Sequence, residues 1–207
     1  MRSILSTPVS KIKRRENLYL APFYATMTRM KITIFGNPGT GKSTVGKLLA
    51  AKLGYEYKSS GNMFRDMAAE LGISVEELDT RSLHDSQYDI TLDQMVAEYG
   101  TSHDNFVFES RLAWHFIPDS IKLALVCDEA EAARRVAQRE GIPHEKAEEN
   151  NRLRIATYEK RYPVCYPGVH YPPHDDGFDM IIDVTTISPE EIVARIVSFL
   201  ETRAARG

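Results

Sequence analysis

The sequence predicts an α/β fold in which a parallel sheet carries helices on both faces. Three observations lead to this prediction. From residue 31 onward, short apolar segments alternate with segments of helical spacing. Residues 121–126 are nearly all apolar, as in a strand that is buried on both faces. A glycine-rich segment, residues 36–43, lies between the first apolar segment and the first helical one. We therefore expect five parallel strands connected mainly by helices.

The strands are predicted where short apolar or aromatic runs stand between turn residues. In chain order, the predicted strands are residues 31–35, 55–57, 106–108, 121–126 and 180–182.

The helices are predicted from apolar spacing together with residues that begin or end a helix. Gly54 and Gly72 are placed to end two of them, and Ser74 with Glu77 forms a capping box that begins a third. The first predicted helix runs from the glycine-rich segment to residue 53. The others are residues 63–71, 74–78, 90–99, 128–140, 145–161 and 188–202. Residues 79–87 and the proline-rich residues 162–177 are predicted to be irregular.

The composition is that of one domain with a sizeable core: 207 residues, 43% hydrophobic and 27% charged, with a net charge of −3. No apolar run approaches the roughly 20 residues of a membrane span, so we expect no membrane association. Cys127 and Cys165 lie far apart and predict a reducing, cytoplasmic location. We expect a monomer.

The first 30 residues carry six basic side chains and one acidic one, which leaves −8 for the rest. An acidic body argues against nucleic-acid binding. We predict an extension at residues 1–29 and a catalytic domain at residues 30–207. The extension could be a basic tail, a transit peptide, or a segment upstream of the natural start at Met27 or Met30, and we favour the last.

The glycine-rich segment has the P-loop pattern of Gly, four residues and Gly-Lys-Ser, in the required place between a strand and a helix. Its backbone N–H groups can surround a phosphate, Lys42 can neutralise the β- and γ-phosphates, and Ser43 can bind Mg²⁺. We therefore predict binding of ATP with Mg²⁺ as its metal. The predicted contacts from this loop are Gly36, Asn37, Pro38, Gly39, Thr40, Gly41, Lys42, Ser43 and Thr44.

The type of P-loop protein follows from what accompanies the loop. The sequence lacks the Asn-Lys-x-Asp motif with which GTPases read guanine, and its length suits a small kinase. Such a kinase binds two anionic substrates, and arginine binds phosphate through a planar fork that stays charged. Six arginines lie where they could serve: Arg65, Arg111, Arg135, Arg139, Arg154 and Arg161.

Three segments carry a family resemblance. Residues 60–68, Ser-Gly-Asn-Met-Phe-Arg-Asp-Met-Ala, and residues 108–113, Phe-Glu-Ser-Arg-Leu-Ala, resemble motifs of the archaeal-type cytidylate kinases. So does the spacing of the arginines from 135 to 161. The resemblance covers about residues 31–200. It implies the P-loop kinase fold of adenylate kinase relatives: a five-stranded parallel sheet flanked by helices, with small NMP-binding and lid helical segments.

The resemblance implies a role for each predicted site residue. Glu109 would orient Mg²⁺ together with Ser43, and Arg135 would lie near the adenine of ATP. Catalysis would depend on a set of cations that surround the transferred group: Lys42, Arg111, Arg139, Arg154 and Arg161. A nucleoside monophosphate would contact the acceptor-binding set: Ser60, Gly61, Arg65, Asp89, Asp93, Arg111 and His115.

Departures from the family pattern concern mainly the acceptor base. Asn62, Ile90 and Gln94 replace charged residues, and the proline-rich stretch 163–173 replaces a short segment. CMP is the expected acceptor, with dCMP or UMP as possible further substrates. AMP, a small alcohol, or a weakly catalytic role as a nucleotide-binding switch or assembly factor are the alternatives.

Overall fold

The computed structural model describes residues 29–205, so the predicted extension lies almost entirely outside the described residues. Its centre is a five-stranded sheet in the order β2–β3–β1–β4–β5, and every neighbouring pair is parallel. This confirms the predicted sheet. The strands are β1 Lys31–Gly36, β2 Glu56–Ser59, β3 Phe106–Glu109, β4 Ile121–Val126 and β5 Met180–Asp183.

Helices cover both faces of this sheet. In chain order they are α1 Lys42–Leu53, α2 Ser60–Glu70, α3 Val75–His84, α4 Gln87–Ser102, α5 Ala113–Phe116, α6 Glu129–Glu140, α7 His144–Cys165 and α8 Pro189–Ala204. The predicted cap at Ser74 is present, because its side chain accepts a hydrogen bond from the backbone N–H three residues later. Asp128 and Ser188 cap α6 and α8 in the same way. Within residues 29–205, every helix is too short or too polar to cross a bilayer.

Two predicted irregular segments were partly wrong. Helix α3 continues past Leu78 to His84, because Leu78 and Ser82 form one buried face of it. Helix α7 continues through Pro163 to Cys165. Tyr162, which is buried, stacks on Tyr158 one turn earlier, and this packing holds the last turn where proline removes a backbone donor.

Alternation along the central strands divides the core into two layers. Ile32 and Ile34 of β1 face α1 and α8, where they pack with Leu49 and Ile196 in the largest apolar cluster. Phe106 of β3 lies on the opposite face with residues of α4 and α5. The sheet is therefore buried on both sides, and the carboxyl ends of its strands form the edge that remains available for a site.

Gly100 provides a test of the packing between α4 and α5. A Cβ at this position would lie 2.6 Å from Cγ1 of Ile117, a side chain that is 1% exposed and cannot move into solvent. We expect Gly100→Ala to lower the free energy of unfolding by about 1–3 kcal/mol, despite the higher helix propensity of alanine. Urea denaturation measures this loss.

Ile117→Ala is the matched partner for that experiment, because it removes the side-chain atoms that the new methyl would meet. The double variant should lose clearly less stability than the sum of the two single variants. Strictly additive losses would contradict the steric explanation.

Candidate active site

The loop between β1 and α1 is built to bind an anion. Gly39 has φ 87°, and a Cβ there would lie 2.3 Å from the backbone oxygen of Ala132 in α6. Only glycine can occupy this position. The loop therefore keeps its backbone close to α6, and its N–H groups precede the N-terminus of α1, where a negative ligand is favoured.

Lys42 begins α1 and lies partly buried at the base of this loop. Its Nζ donates a hydrogen bond to the backbone oxygen of Asn37 at 3.0 Å. Removal from water lowers the pKa of Lys42 to about 8; Glu109 opposes this shift, while Arg111 and Arg139 add to it. Arg111 and Arg139 thus add positive charge near Lys42, and this favours a phosphate ligand.

Glu109 ends β3 directly beside the loop, and its side chain is 8% exposed. Oε1 accepts hydrogen bonds from Ser43 Oγ at 2.9 Å and from Ser59 Oγ at 2.7 Å. Oε2 is buried and has no hydrogen-bond partner in the described structure. An unpaired carboxylate oxygen next to a serine hydroxyl fits Mg²⁺, which prefers oxygen ligands and often reaches carboxylates through water.

A cavity of about 230 Å³ opens on one side of Lys42. Arg111 lines it, with its guanidinium carbon 4.2 Å from the centre of the Tyr158 ring. Trp114 Nε1 donates to the backbone oxygen of Arg111 at 3.0 Å and so holds the turn that carries this arginine. Among residues 29–205, Arg111 makes no ion pair with a carboxylate, so its charge is available to a ligand. We call this space the acceptor cavity.

Three further predicted residues lie at the acceptor cavity. Ser60 and Gly61 line it at the start of α2. Arg65 is exposed, and its Nη1 lies 3.9 Å from the point where a Cβ on Gly61 would stand. This arginine donates to Asn62 Oδ1 and can exchange that neutral partner for a phosphate at the rim.

A second cavity, of about 380 Å³, opens on the other side of the loop and is lined by Gly39, Gly41, Thr44, Arg135 and Arg139, among others. We call it the donor cavity.

Arg135 and Arg139, the two predicted site residues among the three arginines that line the donor cavity, differ in how firmly they are held. Arg135 is fixed, because it donates to Glu131 at 2.8 Å and to the backbone oxygens of Val184 and Thr185 at 2.8 and 3.0 Å. Arg139 is 62% exposed, and within residues 29–205 it pairs only with its neighbour Glu140. Arg135 can thus form a wall of the cavity, whereas Arg139 can move towards a bound phosphate.

The structure does not bring two of the predicted cations to either cavity. Arg161 forms an ion pair with Asp89, and both side chains are largely buried. Arg154 is exposed and makes no hydrogen bond or ion pair within the described residues. Their roles over the transferred group remain predictions that require the lid to move.

The remaining residues of the acceptor-binding set, Asp89, Asp93 and His115, are likewise away from the acceptor cavity. Burial is the main cause that raises the pKa of Asp93 to about 6, and its Oδ2 accepts a hydrogen bond from Tyr166 at 2.6 Å. Burial also raises the pKa of Asp89. His115 is exposed, packs against Trp114 and Phe116, and lines neither cavity. Their contacts with a base stay predictions.

Two residues of the site were missed by sequence reasoning. Ser59 donates to Glu109, and it is the register between β2 and β3, which the sequence does not reveal, that places it opposite this glutamate. Tyr158 lines the acceptor cavity, and it lies on the same face of α7 as Arg154, four residues earlier. An aromatic residue in that position gave no chemical signal of its own.

Comparison with known proteins agrees with this geometry. The sequence matches the AAA domain family over residues 32–156. It is 34% identical to the cytidylate kinase of Ignicoccus hospitalis over 175 residues, which is 82% of this chain and 98% of that protein. It is 33% identical to the cytidylate kinase of Methanobrevibacter smithii, over 83% of this chain and 99% of that protein.

The chain belongs to the cytidylate kinase family. It is an enzyme of the nucleoside monophosphate kinase class, as the motifs at residues 60–68 and 108–113 predicted.

Among solved structures, it resembles shikimate kinase from Acinetobacter baumannii with a TM-score of 0.61 and 17% identity, over 90% of this chain and 98% of that one. Shikimate kinase from Bacteroides thetaiotaomicron gives a TM-score of 0.59 and 19% identity, over 84% and 99%. These likenesses confirm the P-loop kinase fold.

The lowered pKa of Lys42 predicts that the ATP binding expected from this loop depends on pH. Lys42 is charged below its pKa of about 8 and neutral above it, so the attraction to phosphate is lost as pH rises. We expect the Kd for ATP to rise above pH 8, approaching about tenfold per pH unit for a one-proton linkage. Isothermal titration calorimetry from pH 6.5 to 9.5 measures it.

Lys42→Arg is the control, because arginine keeps its charge throughout this range. Its affinity for ATP should be lower at neutral pH but nearly constant up to pH 9.5. An equal rise of Kd with pH in both proteins would assign the titration to another group.

Proposed function

We propose that this enzyme transfers the γ-phosphoryl group of ATP to CMP, with Mg²⁺, to give ADP and CDP. The observation that carries the proposal is the position of Lys42 and its loop between two separate cavities. The donor cavity suits ATP, and the acceptor cavity offers Arg111, a cation without a carboxylate partner in the described part of the chain. Two phosphates bound from opposite sides would meet at Lys42.

The chemistry requires little beyond this placement. In phosphoryl transfer between nucleotides, the acceptor is already an anion, and the rate depends on positioning and on stabilising charge on the phosphoryl oxygens. Lys42 and Arg111 supply that charge, and Ser43 with Glu109 would hold Mg²⁺. Held by these two residues, Mg²⁺ would supply further neutralisation of phosphate charge.

Closure of a lid is the remaining requirement, since water must be kept from the γ-phosphate. Helices α6 and α7 carry Arg139 and Arg154, two exposed cations that could turn towards it. Arg161 would need to leave Asp89 for a phosphate. The choice of CMP is supported by the names of the relatives, whereas a monomeric state and a cytoplasmic location stay predictions.

A panel of acceptors tests the proposal. We expect CMP to give the highest kcat/KM among AMP, CMP, GMP and UMP in a coupled assay of ADP release. Arg111→Ala should lower kcat by about 10²–10³, since it removes a preorganised cation beside the reacting phosphate. Arg195→Ala, which removes an exposed arginine paired with Glu191 on α8, should have no effect. Absence of stimulation by all four monophosphates would refute the proposal.

Glu109→Gln tests the metal site. The amide oxygen can still accept from Ser43 and Ser59, so the local structure should persist, but the charge that attracts Mg²⁺ is lost. We expect the Mg²⁺ concentration for half-maximal activity to rise about 10–100-fold, as for other residues that orient metal ligands.

The control is Glu149→Gln, which removes an exposed carboxylate paired with Lys146 on α7. Its Mg²⁺ requirement should equal that of the unmodified enzyme. A Glu109→Gln variant with an unchanged Mg²⁺ requirement would argue against metal binding at this position.

A further inference from the structure

The segment that follows α7, residues 166–173, has a role that neither the loop nor the arginines explain. It belongs to the proline-rich stretch in which this chain departs from the family pattern. Several of its residues are exposed, but Val169 and Tyr171 are buried, with 3% and 7% of their surface exposed. Both pack in the apolar cluster that contains Phe35, the residue immediately before the phosphate loop. These two side chains therefore anchor the segment beside the start of the phosphate loop, residues 36–43.

Tyr171 is the residue through which this segment reaches the site. Its hydroxyl donates a hydrogen bond to Asn37 Oδ1, in the phosphate loop, at 3.1 Å. The centre of its ring lies 5.6 Å from that of Tyr158, the residue on which Arg111 rests. One side chain thus contacts the loop through its polar end and the wall of the acceptor cavity through its ring.

The hydrogen bond from Tyr171 matters because Asn37 is itself bonded to Lys42. Its backbone oxygen accepts hydrogen bonds from Lys42 Nζ at 3.0 Å and from Thr40 Oγ1 at 2.9 Å. The orientation of this one residue therefore affects the lysine that neutralises phosphate. In the described structure, Tyr171 is the only hydrogen-bond partner of the Asn37 side chain.

We propose that Tyr171 is a positioning residue for the donor side of the reaction. Its hydroxyl holds Asn37, and Asn37 holds the phosphate loop and Lys42 in the conformation that receives ATP. Its ring supports Tyr158 and Arg111 independently of the hydroxyl. This inference builds on the proposed transfer from ATP, but its decisive measurement is ATP binding, which needs no acceptor.

Tyr171→Phe separates the two ends of the side chain, because it removes the hydroxyl and keeps the ring. We expect the Kd for ATP, measured by calorimetry, to rise about three- to tenfold, the range that corresponds to one neutral hydrogen bond. The KM for the best monophosphate of the panel should stay unchanged, and the Tm should fall by no more than the loss of one hydrogen bond explains. A residue that only packs would shift the Tm and both substrates together.

Tyr162→Phe is the matched control. Tyr162 belongs to the same ring stack, 5.2 Å from Tyr171 between ring centres, and its hydroxyl makes no hydrogen bond among the described residues. Its loss should leave ATP affinity unchanged. An equal weakening in both variants would overturn the proposal, since the effect would then come from the stack and not from the contact with Asn37.

A double-mutant cycle with Asn37→Ala tests whether Tyr171 acts through Asn37. Once the Asn37 side chain is absent, Tyr171→Phe should cause no further loss of ATP affinity. A full additional loss in that background, or no loss in the single variant, would show that Tyr171 does not act through Asn37. If instead ATP binding follows the expected pattern while no monophosphate is phosphorylated, the proposed function fails and the role of Tyr171 in ATP binding stands.

Discussion

The parallel pairing of β1 with β3 is the constraint on which the site depends. Its register places Ile34 opposite Glu109, so β3 ends where β1 passes into the phosphate loop. The pairing of β2 with β3 places Ser59 beside the same glutamate. A shift by one residue would turn Glu109 to the other face of the sheet, away from Ser43. Hydrogen bonds between buried strands therefore determine the position of the carboxylate with respect to the phosphate loop.

The distribution of charge distinguishes residues that are ready to bind from those that are not. Arg111 packs on the ring of Tyr158 and has no carboxylate partner in the described residues. Its uncompensated charge lowers the stability of the free protein, and a bound phosphate would remove this effect. Arg161 is neutralised by Asp89, and Arg135 is held by carbonyl and carboxylate oxygens. The three arginines thus differ in their readiness to bind an anion. Arg111 is free to do so, Arg161 would first have to leave Asp89, and Arg135 is held in place by its oxygen partners.

The fold and the phosphate loop could be predicted from the sequence because their signals are local. Gly39, Lys42 and Ser43 follow a motif with fixed spacing, and the strands stand out as apolar runs. The contributions of Ser59, Tyr158 and Tyr171 could not be predicted, because each depends on a partner distant in the chain. The same reason explains the error at the end of α7, where stacked tyrosines stabilise a turn that proline alone would disfavour.

Trp114 provides an optical probe of the turn that carries Arg111. It is the only tryptophan of the chain, and its indole is hydrogen-bonded to the backbone of Arg111 and packed near Phe178. The tryptophan fluorescence of the protein therefore originates at the turn that carries Arg111. A ligand that contacts Arg111, as proposed for the acceptor, should change this emission, so its arrival can be followed by stopped-flow fluorescence on the unaltered enzyme without any added dye.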